Sequence, residues 1–66
     1  MSILPLASMS KLIKKAGAQR VSNSAKIKLR KILENNALEI SNKAIKFAKY
    51  KGRLTVKDED IEKALR

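Results

Sequence analysis

The side chains able to do chemistry in this 66-residue chain are mostly cationic: sixteen lysines and arginines face six acids, a formal net charge of +10 at neutral pH. Such an excess attracts polyanions and opposes packing against copies of itself unless something neutralises it. Four of the six acids are gathered into "DEDIE", residues 58–62, directly behind Arg53, Thr55 and Lys57. With no cysteine and no histidine, disulfides, thiolate chemistry, imidazole catalysis and ordinary zinc sites are excluded. The acid cluster lacks the loop glycine and alternating ligands of a calcium loop, and neither a nucleophile–base pair nor a phosphate-binding glycine loop is present. These residues describe a binding protein rather than an enzyme, without metal, cofactor or small-molecule substrate.

Nucleic acid is the partner that fits best. A sequence pI near 10.3 goes beyond what solubility requires, although a basic surface also keeps a protein dissolved. A membrane surface is the competing polyanion. The opening "MSILPLASM" is too short to span a bilayer and lacks the basic start of a secretory signal, which predicts a cytosolic chain, complete as it stands and with no membrane attachment. Charge and amphipathic segments alone leave a cationic membrane-active peptide open. Against it stand the acids at 58–62 and the caps and loops that serve a fold.

Positioning these charges falls to helices. Apolar residues make up 44% of the chain, with one Phe, one Tyr and no Trp. That content is mostly Ile, Leu and Ala, which suits helix packing better than a small sheet. Pro5, Gly17 and Gly52, the only proline and the only glycines, fall where a first-turn proline and two helix ends belong. Helix 1 is expected over about residues 5–16, with Leu6, Met9, Leu12, Ile13 and Ala16 recurring on one face. Helix 2 is expected from about 23 to 51 with Ser22 as its best N-cap and Asn23 or Ser24 as the alternative, and helix 3 from about 57 to 66. Together they make a single all-α domain over residues 1–66.

At 1.5 Å per residue helix 2 would run about 43 Å, longer than a globule of this size is wide. Its apolar residues fall in two stripes. Ala25, Leu29, Ile32, Leu33, Ala37, Ile40, Ala44, Phe47 and Ala48 form one, and Ile27, Leu38 and Ile45 lie at another angle. Two faces want burial, and a 66-residue core is marginal alone. The simplest arrangement crosses helix 2 with its own copy in a two-fold dimer. A monomeric three-helix bundle would leave the second stripe partly exposed.

Helix 3 accounts for the acids. Asp58, Glu59 and Asp60 stand in its first turn, where unpaired amides carry partial positive charge, and Lys63 and Arg66 lie near its negative end. Ile61, Ala64 and Leu65 give the buried face. Arg53 is close enough in sequence to fold back onto Asp60 and tether the loop, leaving Thr55 and Lys57 available. Glu59 is expected to serve the helix start and not the tether.

This order of parts resembles the archaeal histone family over essentially the whole chain. "IKKAGAQRVS" (13–22), a long helix and "AKYKGRLTVKDEDIEKA" (48–64) match its short helix, R-V-S loop, central helix, G-R-x-T-[IV] loop and D-I-E helix. Each motif alone is weak, but the joint spacing is specific. The resemblance implies a histone fold in an intertwined homodimer, with central helices crossed and each first loop beside the partner's second loop. It also implies double-stranded DNA as the partner, bent or wrapped and compacted without strong sequence choice, as chromatin on the nucleoid in the cytoplasm, with higher oligomers open to it on DNA. The DNA-facing positions would be Lys11, Lys14, Arg20, Val21, Ser22, Arg53, Leu54, Thr55 and Lys57. Arg20 would enter the minor groove while Thr55 and loop amides meet phosphates, a mode that reads backbone and shape rather than bases. The family's dimer-to-dimer contact would fall on Phe47, Tyr50, Asp60 and Lys63, and Gly17 is its close-stacking position.

Singly, each residue has a plainer role open to it: Arg20 as a solvated loop arginine, Thr55 as a turn cap, Lys11, Lys14 and Lys57 as ordinary wet-face lysines. A dimer that bridges duplexes, or serves as a regulatory-complex subunit, is the alternative job for the same fold. Three positions depart from the family pattern. Leu54 stands where many members are basic, and Lys63 where many are apolar. Tyr50 replaces a histidine whose hydrogen bond it can supply but whose charge it cannot. Lys26, Lys28, Arg30, Lys31, Lys43, Lys46 and Lys49 make helix 2 unusually basic, mostly as a solvated face.

Overall fold

A computed structural model describes residues 2–66. Three helices, α1 (Leu6–Lys15), α2 (Asn23–Tyr50) and α3 (Asp58–Ala64), are its elements, and no strand occurs among the described residues. The fold is all-α. The chain divides into two compact units, Met1–Asn35 and Asn36–Arg66, and α2 continues unbroken through the division.

In the first unit Pro5 is the N-cap of α1, with ψ 141°, and supplies no side-chain cap. It therefore stands one position ahead of the first turn in which its residue type suggests it. The residue before a proline is pushed toward extended backbone, so Ile3 and Leu4 arrive with free amides. Glu34 takes both: its Oε2 accepts the Leu4 N–H at 2.8 Å and also the Ile3 N–H.

The exit of α1 is a Schellman turn, in which Gly17 N–H donates to the Lys14 carbonyl at 3.0 Å and Ala18 N–H to the Ile13 carbonyl at 3.4 Å. Gly17 has φ +123°, a conformation that a β-carbon opposes. Ser22 then opens α2. Its Oγ accepts the Ala25 N–H at 3.1 Å, and its carbonyl accepts the first helical bond from Lys26 at 3.2 Å, so one orphan first-turn amide is satisfied locally. Met9 is the fully buried apolar side chain here, while Leu12, Ile27 and Ile32 remain about half exposed.

In the second unit α2 ends by the same device. Gly52 N–H donates to the Lys49 carbonyl at 2.9 Å and Arg53 N–H to the Ala48 carbonyl at 3.0 Å, with Gly52 at φ +72°. Apart from the glycine itself and its chain neighbours, no atom of the described residues lies within 4 Å of where a β-carbon would stand on either glycine, so backbone conformation rather than crowding calls for glycine within the chain. Ala44, Ala48 and Ala64 are the buried apolar residues of this unit, and beside them Asp60 is completely buried. The larger apolar groups stay outside: Leu38 is 61% exposed, Ile45 39% and Phe47 38%. The second stripe of α2 is thus uncovered in a single chain. No helix among the described residues is long and apolar enough to cross a membrane.

Candidate nucleic-acid interface

The loop between α2 and α3 is braced from within by Arg53. Its Nη1 donates to Asp60 Oδ2 at 2.9 Å and to the Thr55 carbonyl at 3.2 Å, and its Nη2 donates to Asp60 Oδ1 at 3.1 Å and Glu59 Oε1 at 2.8 Å. Four of the five guanidinium N–H donors are consumed this way, leaving only Nε–H for anything outside. The fork grips Asp60 with both nitrogens, the geometry that makes arginine–carboxylate pairs strong and directional.

Asp60 does a second task with the same carboxylate. Oδ2 accepts the Lys57 N–H at 2.9 Å, which caps α3 from its third residue back onto its N-cap. The reciprocal half of that capping motif is missing, because a lysine ammonium has no acceptor to offer. Hydrogen bonding from the Arg53 guanidinium, and then from the Lys57 amide, holds the Asp60 carboxyl below the usual carboxylate range, outweighing the opposing effect of burial. The bond to Asp60 likewise raises the Arg53 guanidinium.

Glu59 departs from the sequence expectation. It is a member of the brace, held by Arg53 at 2.8 Å and by Lys51 Nζ at 3.4 Å. Its position one residue before Asp60, in the first turn, places it beside the second guanidinium nitrogen. The only sequence signal for this was the density of acids around Asp60.

The bracing leaves Leu54, Thr55 and Lys57 on the outside. Leu54 is as exposed as an isolated residue, at 104%, and Thr55 and Lys57 are also exposed. In the first unit, Lys11, Lys14, Arg20 and Ser22 are exposed and Val21 is half-buried. The Ser22 hydroxyl already accepts from Ala25 and lies 3.1 Å from the Ser24 hydroxyl. Glu34, which the sequence did not single out, anchors the segment ahead of α1; the Leu4 and then the Ile3 amides hold its carboxyl below the ordinary range. Its one advertisement is that it is the first acid in the chain, set after a run of lysines and an arginine.

Of the four residues assigned to a dimer-to-dimer contact, three gather on one groove. Phe47, Tyr50 and Lys63 line it together with Lys46 and Lys51. Asp60 is not among them: it has no exposed surface and is committed to Arg53 and Lys57.

Comparison with known proteins agrees with these parts. The profile of the family described as "Histone-like transcription factor (CBF/NF-Y) and archaeal histone" matches residues 2–65. The chain is 47% identical to a subunit of the archaeal histone HAN1 of Thermococcus zilligii, an alignment covering all of this chain and 98% of that protein. It is 48% identical to "Probable archaeal histone 3" of Methanocaldococcus jannaschii, again over all of this chain and 98% of the relative. A short helix, a 28-residue central helix and a short third helix, matched over nearly their whole length, place this chain in the histone-fold family of archaeal histones and histone-like transcription factors.

Proposed function

We propose that the chain works as a homodimer that binds double-stranded DNA without sequence choice, bends or wraps it, and compacts it as a chromatin protein on the nucleoid. The observation that carries this reading is the braced second loop: Arg53 is spent on Asp60, Glu59 and the Thr55 carbonyl, so Leu54, Thr55 and Lys57 are presented on a backbone held from within. Dimerisation is supported by the uncovered second stripe of α2, Ile27, Leu38 and Ile45. In the dimer each second loop would meet the partner's first loop, where Arg20, Val21 and Ser22 complete the DNA face and Lys11 and Lys14 of α1 flank it.

The chemistry of this face suits phosphate. A threonine hydroxyl, lysine ammoniums and loop amides hold a backbone without reading bases, and Arg20 suits a narrow, electronegative minor groove. Arg53 acts on DNA mainly through the loop it holds, with Nε–H its one free donor. Gly17, open to solvent in the single chain, is left able to accept a neighbouring dimer on DNA.

The test is binding of unrelated duplexes across a salt series, followed by nuclease digestion of the reconstituted complex. Similar affinities that fall steeply and linearly on logarithmic axes are expected, with protected DNA lengths reporting wrapping. A preference above about a hundredfold for one sequence would contradict backbone reading. The family description also covers histone-like transcription factors, which supports a second reading as a component of a regulatory complex. A duplex bound without bending or protection would favour that reading or a bridging role. Helical structure and a cooperative melt in lipid-free buffer are expected, whereas a membrane-active peptide orders only on vesicles.

A further inference from the structure

Beside the braced loop, Lys46, Phe47 and Tyr50 of α2, Lys51 at its exit and Lys63 of α3 enclose an open groove of about 450 Å³. Its aromatic groups are available: Phe47 is 38% exposed and Tyr50 91%. Its charges are all positive. Lys51 lies near enough to Lys63 to hold that ammonium below the ordinary lysine range. The nearby acids offset this only in part, since Glu59 is shared between Lys51 and Arg53 and Asp60 is buried under Arg53.

Like charges held together in this way favour an incoming anion. A second copy of the chain would bring the same three lysines, and like charges juxtaposed across an interface disfavour the contact. A DNA backbone would satisfy the ammoniums but presents little apolar surface to Phe47 and Tyr50. We propose that this groove docks an acidic amphipathic segment of a different protein, with carboxylates on Lys46, Lys51 and Lys63 and an apolar side chain against Phe47 and Tyr50. Partner choice at this face is then set by charge, and the surface stays distinct from the DNA-facing loops.

The test uses the full-length protein and a short labelled peptide carrying leucine between runs of glutamate, followed by fluorescence anisotropy. Saturable binding at about 10–100 µM is expected. Polyglutamate of the same length, and the leucine peptide with glutamine in place of glutamate, should each bind at least about tenfold more weakly, as expected when an anchor or its charges are removed. Lys63→Glu and Tyr50→Ala should each weaken the peptide by about tenfold or more. Lys43→Glu, the same charge change at an exposed position of α2 outside the groove, should weaken it much less.

Equal binding of polyglutamate, or equal losses for Lys43→Glu and Lys63→Glu, would reduce the groove to unspecific charge and overturn the proposal. So would assembly of DNA-free dimers into larger species that Tyr50→Ala abolishes. DNA affinity is measured on the same variants, so the two readings fail separately. If Lys63→Glu weakens DNA binding clearly more than Lys43→Glu and excess duplex displaces the peptide, the groove belongs to DNA.

Discussion

Asp60 shows how one buried side chain serves two neighbours: its carboxylate receives both ends of the Arg53 fork and the Lys57 amide. Removing one partner from such a site strands the other, which is more damaging than the net worth of the pair. Asp60→Asn is therefore expected to lower the melting temperature by about 5–15 °C at fixed protein concentration, and Arg53→Met to do likewise. The double variant should lose less than the two losses added. Asp58→Asn, in the same turn but bonded among the described residues only to the Glu59 amide, should shift the midpoint little. Additive losses, or an Asp58 effect equal to that of Asp60, would mean that the acids only start α3. The pH dependence has a definite sign. Because the folded Asp60 carboxyl lies below its ordinary value, its stabilisation is fully present above the unfolded value of about 3.9 and is lost as pH falls through the folded one. Acidification below about pH 4 should destabilise the protein, and Asp60→Asn should remove part of that fall in a pH series of thermal melts. Glu34, also held low by its amide partners, contributes with the same sign.

At the level of elements, the helix ends are specified locally. Both helix exits before the loops are Schellman turns with glycine in positive φ, and the entrance to α2 is capped by Ser22. Gly52→Ala should destabilise the fold by about 1 kcal/mol, because the cost of positive φ is not offset by any contact. Ser22→Ala should cost about 1 kcal/mol for the lost cap. Denaturant unfolding at one protein concentration measures both, and unchanged midpoints would show that packing holds these ends without the local signals. These features were legible because Gly, Ser and Pro act through their own backbone and nearest neighbours. Pro5 is the instructive exception: its position one residue ahead of the α1 first turn goes with amides captured by Glu34, about thirty residues along the chain, a distance no local pattern spans.

For the whole molecule, the proposed dimer would complete the burial of α2 and make concentration a variable of stability. The melting temperature is expected to rise with protein concentration, as for a fold completed by its own copy; a folded, helical monomer at micromolar concentration in sedimentation equilibrium would contradict the dimer. On DNA, Arg20→Ala should reduce bending or compaction more than Lys43→Ala, although both remove one positive charge. On the proposed DNA face the first would enter the minor groove at a loop, whereas the second stands on an exposed face of α2. Equal losses in a bending assay, with circular dichroism unchanged, would leave total charge as the only determinant.

Helix order, helix ends, polyanion preference and the demand for a partner were readable from residue types and spacing, since propensity, capping and net charge act over a few residues or over the chain as a whole. The assignment of individual charges was not. Which acid takes Arg53 with both oxygens, that Glu59 joins it, that Glu34 holds the Ile3 and Leu4 amides, and that Lys51 and Lys63 crowd one groove beside Phe47 and Tyr50 all depend on where separate helices bring side chains within bonding distance. Hydrogen bonds and ion pairs discriminate among neighbouring carboxylates at the scale of an ångström, which sequence separation does not resolve.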